Sequence, residues 1–79
     1  MNECQLEGHY ANYFQVGHNA FEFVLDFGQY YPENQEKQKA SLHTRIIISP
    51  VYARILLETI RGSLESYERA FGRISEVSQ

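Results

Sequence analysis

The alternation of apolar and polar side chains over residues 20–27 is the feature that most constrains the fold of this chain. One set of alternate positions is fully apolar and consists of Phe21, Phe23, Leu25 and Phe27. The other set is mixed and consists of Glu22, Val24 and Asp26. Because successive side chains of a β-strand leave opposite faces, a period of two predicts a strand with one apolar face.

Two further segments, residues 10–17 and 42–49, are also predicted to be strands. The first places Phe14 and Val16 in one alternate set. The second contains three consecutive β-branched residues, and its even positions are Leu42, Thr44, Ile46 and Ile48. Residues 17–19, which read Gly-His-Asn, favour a tight hairpin between the first two strands. Residues 28–41 are polar and contain Pro32, so we expect a long mobile connection before the third strand.

Residues 50–71 are predicted to form one long helix. Ser49 is a good N-cap, Pro50 suits the first helical position, and Gly72 suits the residue that ends a helix. At 100° per residue, the apolar side chains form a stripe about 100° wide. This helix stripe consists of Ala53, Leu56, Leu57, Ile60, Leu64, Tyr67 and Phe71.

The order β-β-β-α predicts an α+β fold, in which a three-stranded antiparallel meander is followed by one C-terminal helix packed on one face of the sheet. We expect a single domain over residues 10–74, with flexible segments at residues 1–9 and 75–79. The expected partner of the helix stripe is the side of the sheet that carries Phe14, Val16, Phe21, Phe23, Leu25, Phe27, Ile46 and Ile48.

The small size of the chain suggests that it associates with itself. A chain of 79 residues buries only about 60–65% of the surface that its unfolded form exposes, so its core is marginal. Cys4 is the single cysteine, so no disulfide within one chain reinforces the fold. We therefore expect a homo-oligomer, either a dimer or a tetramer.

The opposite side of the sheet is the main candidate binding surface. We predict that Tyr13, Val24 and Ile47 form an apolar centre there, with charged residues around it. A solvated face, a subunit interface and a ligand surface are all compatible with this pattern. Val51 and Ile55 project from the helix away from its stripe, which also favours assembly.

Tyr30 and Tyr31 are predicted to lie in the connection between the second and third strands. Exposed aromatic side chains on a mobile loop bury a large area on a partner at low entropic cost. The alternative is that one or both fold back over the edge of the core.

No catalytic, metal or cofactor site is predicted. The spacing of Cys4, His9, His18 and His43 matches no compact zinc pattern. Glu22 and Asp26 would lie about 13 Å apart along one strand, too far for paired-carboxylate catalysis. They are better interpreted as cross-strand partners of Arg45 or His43.

Charge and hydropathy exclude other classes of partner. The net charge is −3, and glutamates alternate with the arginines of the helix, so nucleic-acid binding is not expected. No apolar run reaches the roughly 20 residues of a membrane span, and the N-terminus does not resemble a signal peptide. A cytoplasmic location is expected, because a single unpaired cysteine suits a reducing compartment.

Several motifs together resemble a known family of short prokaryotic and phage proteins. They are the run from Glu22 to Gly28, which reads EFVLDFG, the opening Ser49-Pro50 of the helix, and its ending from Tyr67 to Gly72, which reads YE-x-x-FG. This pattern is similar to the family catalogued as domain of unknown function 3467. The resemblance spans residues 11–74 and implies no activity.

A second resemblance concerns the passage from Ile48 to Arg54 together with Arg61-Gly62. It is similar to the strand-to-helix passage of the SecB export chaperones, which assemble as tetramers and hold unfolded chains in apolar grooves. This chain is shorter and has one strand fewer, so no groove residue is carried over. The resemblance implies assembly through sheets and helices.

We therefore expect a non-enzymatic oligomer that binds protein or extended peptide segments, as a chaperone or an adaptor does. The alternative is a structural subunit, such as a phage-encoded one, that only assembles with itself. A DNA-binding regulator is a weaker alternative.

Overall fold

The computed structural model describes residues 6–31 and 40–75, which form three strands and one helix. These elements are β1 (Tyr13–His18), β2 (Phe23–Tyr30), β3 (Ala40–Ile48) and α1 (Pro50–Phe71). The three antiparallel strands and the C-terminal helix confirm the α+β prediction. Each end of the three strands differs from its predicted position by one to three residues. Among the described residues, no helix is long and apolar enough to cross a membrane.

The predicted connection over residues 28–41 is too long at both of its ends. β2 continues to Tyr30 and β3 begins at Ala40, so both strands extend into that segment. The mobility predicted for the rest of the connection concerns residues 32–39, which lie outside the described residues. Most of the predicted flexible ends, residues 1–5 and 76–79, also lie outside them.

The strands form one sheet in the order β1-β2-β3, with β2 in the centre. The turn between β1 and β2 is organised by Asn19, whose side-chain oxygen accepts hydrogen bonds from the backbone N–H groups of Phe21 at 2.7 Å and Glu22 at 3.0 Å. An asparagine in a turn often satisfies the backbone in this way. The predicted hairpin is therefore present, but its turn consists of residues 19–22 and not 17–19, because Gly17 and His18 belong to β1.

The register confirms the predicted apolar side of the sheet. Cross-strand partners point to the same face, and Phe14 lies opposite Phe27 while Val16 lies opposite Leu25. On β3, which is the other neighbour of β2, Ile46 lies opposite Leu25 and on the same face. We call this surface the apolar face, and it carries Phe14, Val16, Phe23, Leu25, Phe27, Ile46 and Ile48. The rings of Phe14 and Phe27 meet edge to face, with centroids 5.7 Å apart.

The alternation of β3 is interrupted by a bulge, which changes the face of Leu42. Phe27 pairs with Thr44 but Gly28 pairs with Leu42, so β3 has one additional residue, His43, at this point. Leu42 therefore shares the face of Gly28, and its sequence-based grouping with Ile46 and Ile48 is wrong. A bulge depends on pairing between strands, which a pattern within one strand does not show.

The helix begins and ends where the sequence predicts. Ser49 is its N-cap, and its hydroxyl oxygen accepts a hydrogen bond from the backbone N–H of Tyr52 at 3.4 Å. At the other end, Gly72 has a φ of +96° and its N–H donates to the carbonyl of Glu68. Only glycine adopts this backbone region without strain.

The expected packing of the helix on the sheet is not found among the described residues. Every residue of α1 is exposed except Ala53, which is half-buried. Only its first turns approach the sheet, where Ala53 and Leu57 border a depression beside Phe23. The reason is the connection: β3 ends at Ile48 and α1 begins at Pro50, which leaves a single residue between them. Consequently no apolar side chain among the described residues is buried.

Candidate functional site

The face opposite the apolar face, here called the second face, has a cleft at its hairpin end. Val24 lies between Gly17 on β1 and Ile47 on β3 in one cross-strand row. Because Gly17 has no side chain, space is left beside Val24 in this row. A Cβ built on Gly17 would have no other residue's atom within 4 Å, its chain neighbours aside. The cleft has a volume of about 580 Å³. It is lined by Gln15, Val16, Gly17, His18, Asn19, Val24, Asp26 and Arg45.

A bidentate ion pair between Arg45 and Asp26 forms one wall of the cleft. The Arg45 guanidinium donates from Nε to Oδ1 of Asp26 at 2.8 Å and from Nη2 to Oδ2 at 2.9 Å. The Asp26 side chain is only 10% exposed, whereas that of Arg45 is 65% exposed. The hydrogen bond from Arg45 lowers the pKa of Asp26 below its ordinary value, and burial opposes this shift. The predicted cross-strand pairing of Asp26 is thus confirmed, with Arg45 as the partner.

Tyr13 does not join Val24 and Ile47 in a common apolar centre. It lies opposite Gly28, whereas Val24 lies four residues earlier on β2, which is about 13 Å along the strand. The row between them contains the Asp26–Arg45 pair. The predicted centre is wrong in this respect, because a charged row divides the apolar positions. The Tyr13 hydroxyl instead accepts a hydrogen bond from the Gln15 side chain.

Tyr30 is a strand residue and not a loop residue. Asn12 holds its backbone: the Tyr30 N–H donates to the Asn12 side-chain oxygen at 2.8 Å, and the Tyr30 carbonyl accepts from Asn12 Nδ2 at 3.4 Å. Asn12 thereby continues the pairing of β1 and β2 beyond the end of β1. Tyr31 follows the strand, is exposed, and its hydroxyl donates to the side chain of Gln29 at 2.9 Å.

Val51 and Ile55 lie on α1 and project away from its stripe, as predicted. They are 66% and 50% exposed. None of the residues that line the cleft comes from the helix, so the structure does not combine these two residues with Val24 and Ile47 in one site.

The helix stripe carries an apolar groove that the sequence did not reveal. After Gly72 the chain turns back, and the backbone N–H of Ile74 donates to the carboxylate of Glu68 at 3.2 Å. Ile74 thereby joins residues of the stripe around a groove of about 480 Å³. The groove is lined by Thr59, Ile60, Ser63, Leu64, Tyr67 and Ile74. The periodicity of the sequence predicted the stripe. It did not predict that the stripe is exposed in the described structure, or that the chain turns back so that Ile74 lines the groove.

Of the three histidines, His18 lies on β1, His43 lies on β3 and His9 precedes β1. The His43 ring contacts the backbone oxygen of Tyr10 through Nε2 at 3.0 Å, and its centroid lies 5.5 Å from that of His9. His18 stacks on Phe23. Within residues 6–31 and 40–75, no group of three or more potential metal ligands is close enough to hold an ion. Cys4 lies outside the described residues.

Comparison with known proteins gives one family. No curated protein and no solved structure matches the chain, so the resemblance to the SecB export chaperones gains no support. A sequence profile of the family described as protein of unknown function (DUF3467) matches residues 1–76. This match covers nearly the whole chain and includes the EFVLDFG run of β2 and the YE-x-x-FG ending of α1. The chain therefore belongs to the DUF3467 family.

Proposed function

We propose that the protein is a non-enzymatic, homo-oligomeric module that binds extended polypeptide segments. The observation that carries this proposal is the amount of apolar surface that the chain leaves uncovered. Side chains that a soluble monomer normally buries are about half exposed, among them Phe14, Ile47, Leu57 and Tyr67. Exposed apolar surface of this extent is typical of protein-interaction sites.

The second face supplies the site for the polypeptide. β1, which carries Gly17, is an edge strand of the described sheet, so one row of its backbone N–H and C=O groups is available to pair with an added strand. Val24 lies between Gly17 of this edge strand and Ile47 of β3, and the cleft next to Val24 is large enough for an apolar side chain. Main-chain hydrogen bonds would give affinity, and the cleft would select the side chain.

The same proposal gives the Asp26–Arg45 pair a role in selectivity. The exposed Arg45 guanidinium borders the cleft, while the carboxylate of Asp26 is enclosed behind it. A bound segment would therefore place an apolar side chain beside Val24 and avoid a lysine or arginine next to Arg45. We expect the module to act in the cytoplasm, where unfolded or extended chains and a reduced Cys4 coexist.

A Gly17→Val variant tests the proposal. The added side chain enters the cleft and meets no atom within 4 Å of its Cβ, so the sheet is expected to remain intact. The probes are an array of overlapping peptides and a reduced insulin aggregation assay. Wild-type protein is expected to bind a subset of peptides and delay aggregation, and Gly17→Val is expected to weaken both effects at least tenfold.

Gly62→Val is the matched control, because Gly62 also has open space around it but lies on the helix away from the stripe. Unchanged peptide binding by Gly17→Val, or no binding by the wild-type protein, would contradict the proposal. In the second case the alternative is a purely structural subunit. That alternative is favoured by the match between the helix stripe and the apolar face, which requires no further partner.

A further inference from the structure

The apolar face and the helix stripe are two exposed surfaces of matching chemistry in the described part of the chain. The helix has 22 residues, which corresponds to about 33 Å. The apolar face is shorter, because its residues on β2 run from Phe23 to Phe27, which is about 13 Å along the strand. Side chains of both surfaces are strongly exposed, including Phe14 at 59% and Phe71 at 76%. Neither surface carries a charged side chain at its centre, because the arginines and glutamates of α1 lie on the other side of the helix.

The connection between β3 and α1 prevents these two surfaces from meeting within one chain. Ser49 is the single residue between them, and it is extended, with φ −78° and ψ 163°. Its side chain caps the helix, and the ring of Pro50 restricts the next φ angle. The first turns of the helix therefore lie beside Phe23, and the residues of the later turns are exposed in the described part of the structure.

The exposed area is what a stable dimer would have to bury. The chain exposes 7038 Å², about 2,100 Å² more than the roughly 4,900 Å² of a compact monomer of its mass. Its radius of gyration is 15.6 Å, against about 11.6 Å for a compact chain of this length. Obligate homodimers bury about 2,000–5,000 Å² in total, so an interface that removed half or more of this excess from each copy would lie in their range.

We propose that the occupant of each surface is a second copy of the chain, in a reciprocal dimer. The helix stripe of each copy packs across the apolar face of the other, so that the two helices are exchanged about a twofold axis. Such an interface is self-complementary, as closed dimers require. The groove beside Leu64 and Tyr67 provides space for an aromatic side chain of the partner sheet. This inference rests on the oligomeric part of the proposed function.

The mass of the full-length protein is the first test. Sedimentation at micromolar concentrations is expected to give twice the 9.2 kDa of one chain, or a multiple of that dimer. Leu64→Lys places a charge in the stripe, and Phe14→Asp places one on the apolar face. Each variant alone is expected to weaken association at least a hundredfold. Ile55→Lys is the matched control, because Ile55 is as exposed as Leu64 but lies off the stripe, and it is expected to remain dimeric.

Mixing the two variants distinguishes the reciprocal arrangement from other dimers. In a mixed pair, both changes fall in one helix–sheet contact, and the other contact is wild-type. Association is therefore expected to recover partly on mixing Leu64→Lys with Phe14→Asp. A dimer of helices alone would tolerate Phe14→Asp, and a dimer of sheets alone would tolerate Leu64→Lys. Either result would overturn the inference.

The remaining outcomes separate this inference from the proposed function. A monomer whose stripe is protected from hydrogen exchange would mean that the helix folds back on its own sheet. A monomer that loses peptide binding in Leu64→Lys would mean that unfolded clients cover the stripe. Both would overturn the dimer and leave peptide binding in place. A dimer without peptide binding would overturn the proposed function alone.

Discussion

At the scale of single residues, the two most enclosed positions in the described part of the chain are a carboxylate and a glycine. Asp26 and Gly28 are neighbours on the same side of β2, and they are the residues classed as buried there. Each depends on β3: Asp26 on the guanidinium of Arg45, and Gly28 on the close approach of the bulged backbone. The sheet is therefore held together at residues that a search for apolar cores would overlook.

Gly28→Ala is expected to destabilise the sheet. A Cβ at this position would lie 2.8 Å from the Cα of Leu42 and closer still to the carbonyl oxygen of Ser41, both of which are backbone atoms. Relieving this overlap requires separation of β2 from β3, at a cost of about 1–3 kcal/mol of unfolding free energy. Urea denaturation followed by circular dichroism measures it. Gly17→Ala, with open space around the new methyl group, is the control and is expected to change stability by less than about 1 kcal/mol.

The Asp26–Arg45 pair is expected to make stability depend on acid pH. Arg45 holds the pKa of Asp26 below its ordinary value of 3.8, so the folded state binds fewer protons than the unfolded state near that pH. The contribution of the pair is complete above about pH 5 and is lost as the pH falls through the pKa of the folded state. Urea midpoints measured between pH 2 and pH 7, at constant protein concentration, show this loss.

Asp26→Asn removes the titrating group, so its stability is expected to be lower at pH 7 and to vary less at acid pH. Glu22→Gln is the control. Glu22 precedes β2, four residues before Asp26, but its carboxylate makes no ion pair in the described part of the structure, and only its backbone carbonyl accepts a hydrogen bond, from Asn19. An equal change in acid dependence for both variants would contradict the role of the pair.

At the scale of the elements, the features that depend on neighbouring residues in the sequence were predictable, and those that depend on pairing between strands were not. The helix bounds follow from Ser49-Pro50 and Gly72, which act within one turn of the chain. The alternation of β2 predicted its two faces, and the Val24–Ile47 and Asp26–Arg45 pairs follow from it. The bulge at Gly28 and the separation of Tyr13 from Val24 depend on the register between strands, which no single segment encodes.

Two glycines of the helix are expected to respond in opposite ways to alanine. Gly62 lies inside α1 with open space around it, so Gly62→Ala is expected to raise the unfolding free energy by about 0.5–1 kcal/mol. Gly72 has a positive φ, so Gly72→Ala is expected to lower it by about 1 kcal/mol. The unfolding free energies of both variants and of the wild-type protein are compared by thermal unfolding. Each variant is the control for the other. Changes of equal sign would show that the helix end is not capped as described.

At the scale of the whole molecule, the sequence pattern was correct about which surfaces are apolar and wrong about where they pack. Amphipathic periodicity indicates that the stripe of α1 and the apolar face need cover, but it does not indicate which chain provides it. The length of the connection decides this point, since Ser49 alone joins β3 to α1. A loop of several residues would have allowed the helix to return over its own sheet.

If two copies complete one core, stability must depend on protein concentration. A monomer with a self-contained core unfolds at the same urea concentration at any dilution, whereas unfolding of an obligate dimer releases two chains. Each tenfold increase in protein concentration favours the folded dimer by about 1.4 kcal/mol, which shifts the urea midpoint upward by roughly 0.5 M. Circular dichroism at two concentrations a hundredfold apart resolves a shift of that size.

Leu64→Lys provides the internal control for this prediction. In this variant the stripe cannot pack on a partner, so the urea midpoint of the protein is expected to be low and independent of protein concentration. Ile55→Lys, whose side chain lies off the stripe and is equally exposed, is expected to retain the full shift. A concentration-independent midpoint in the wild-type protein would mean that one chain closes its own core. The extended geometry of Ser49 would then describe an open form that the monomer leaves when its helix closes.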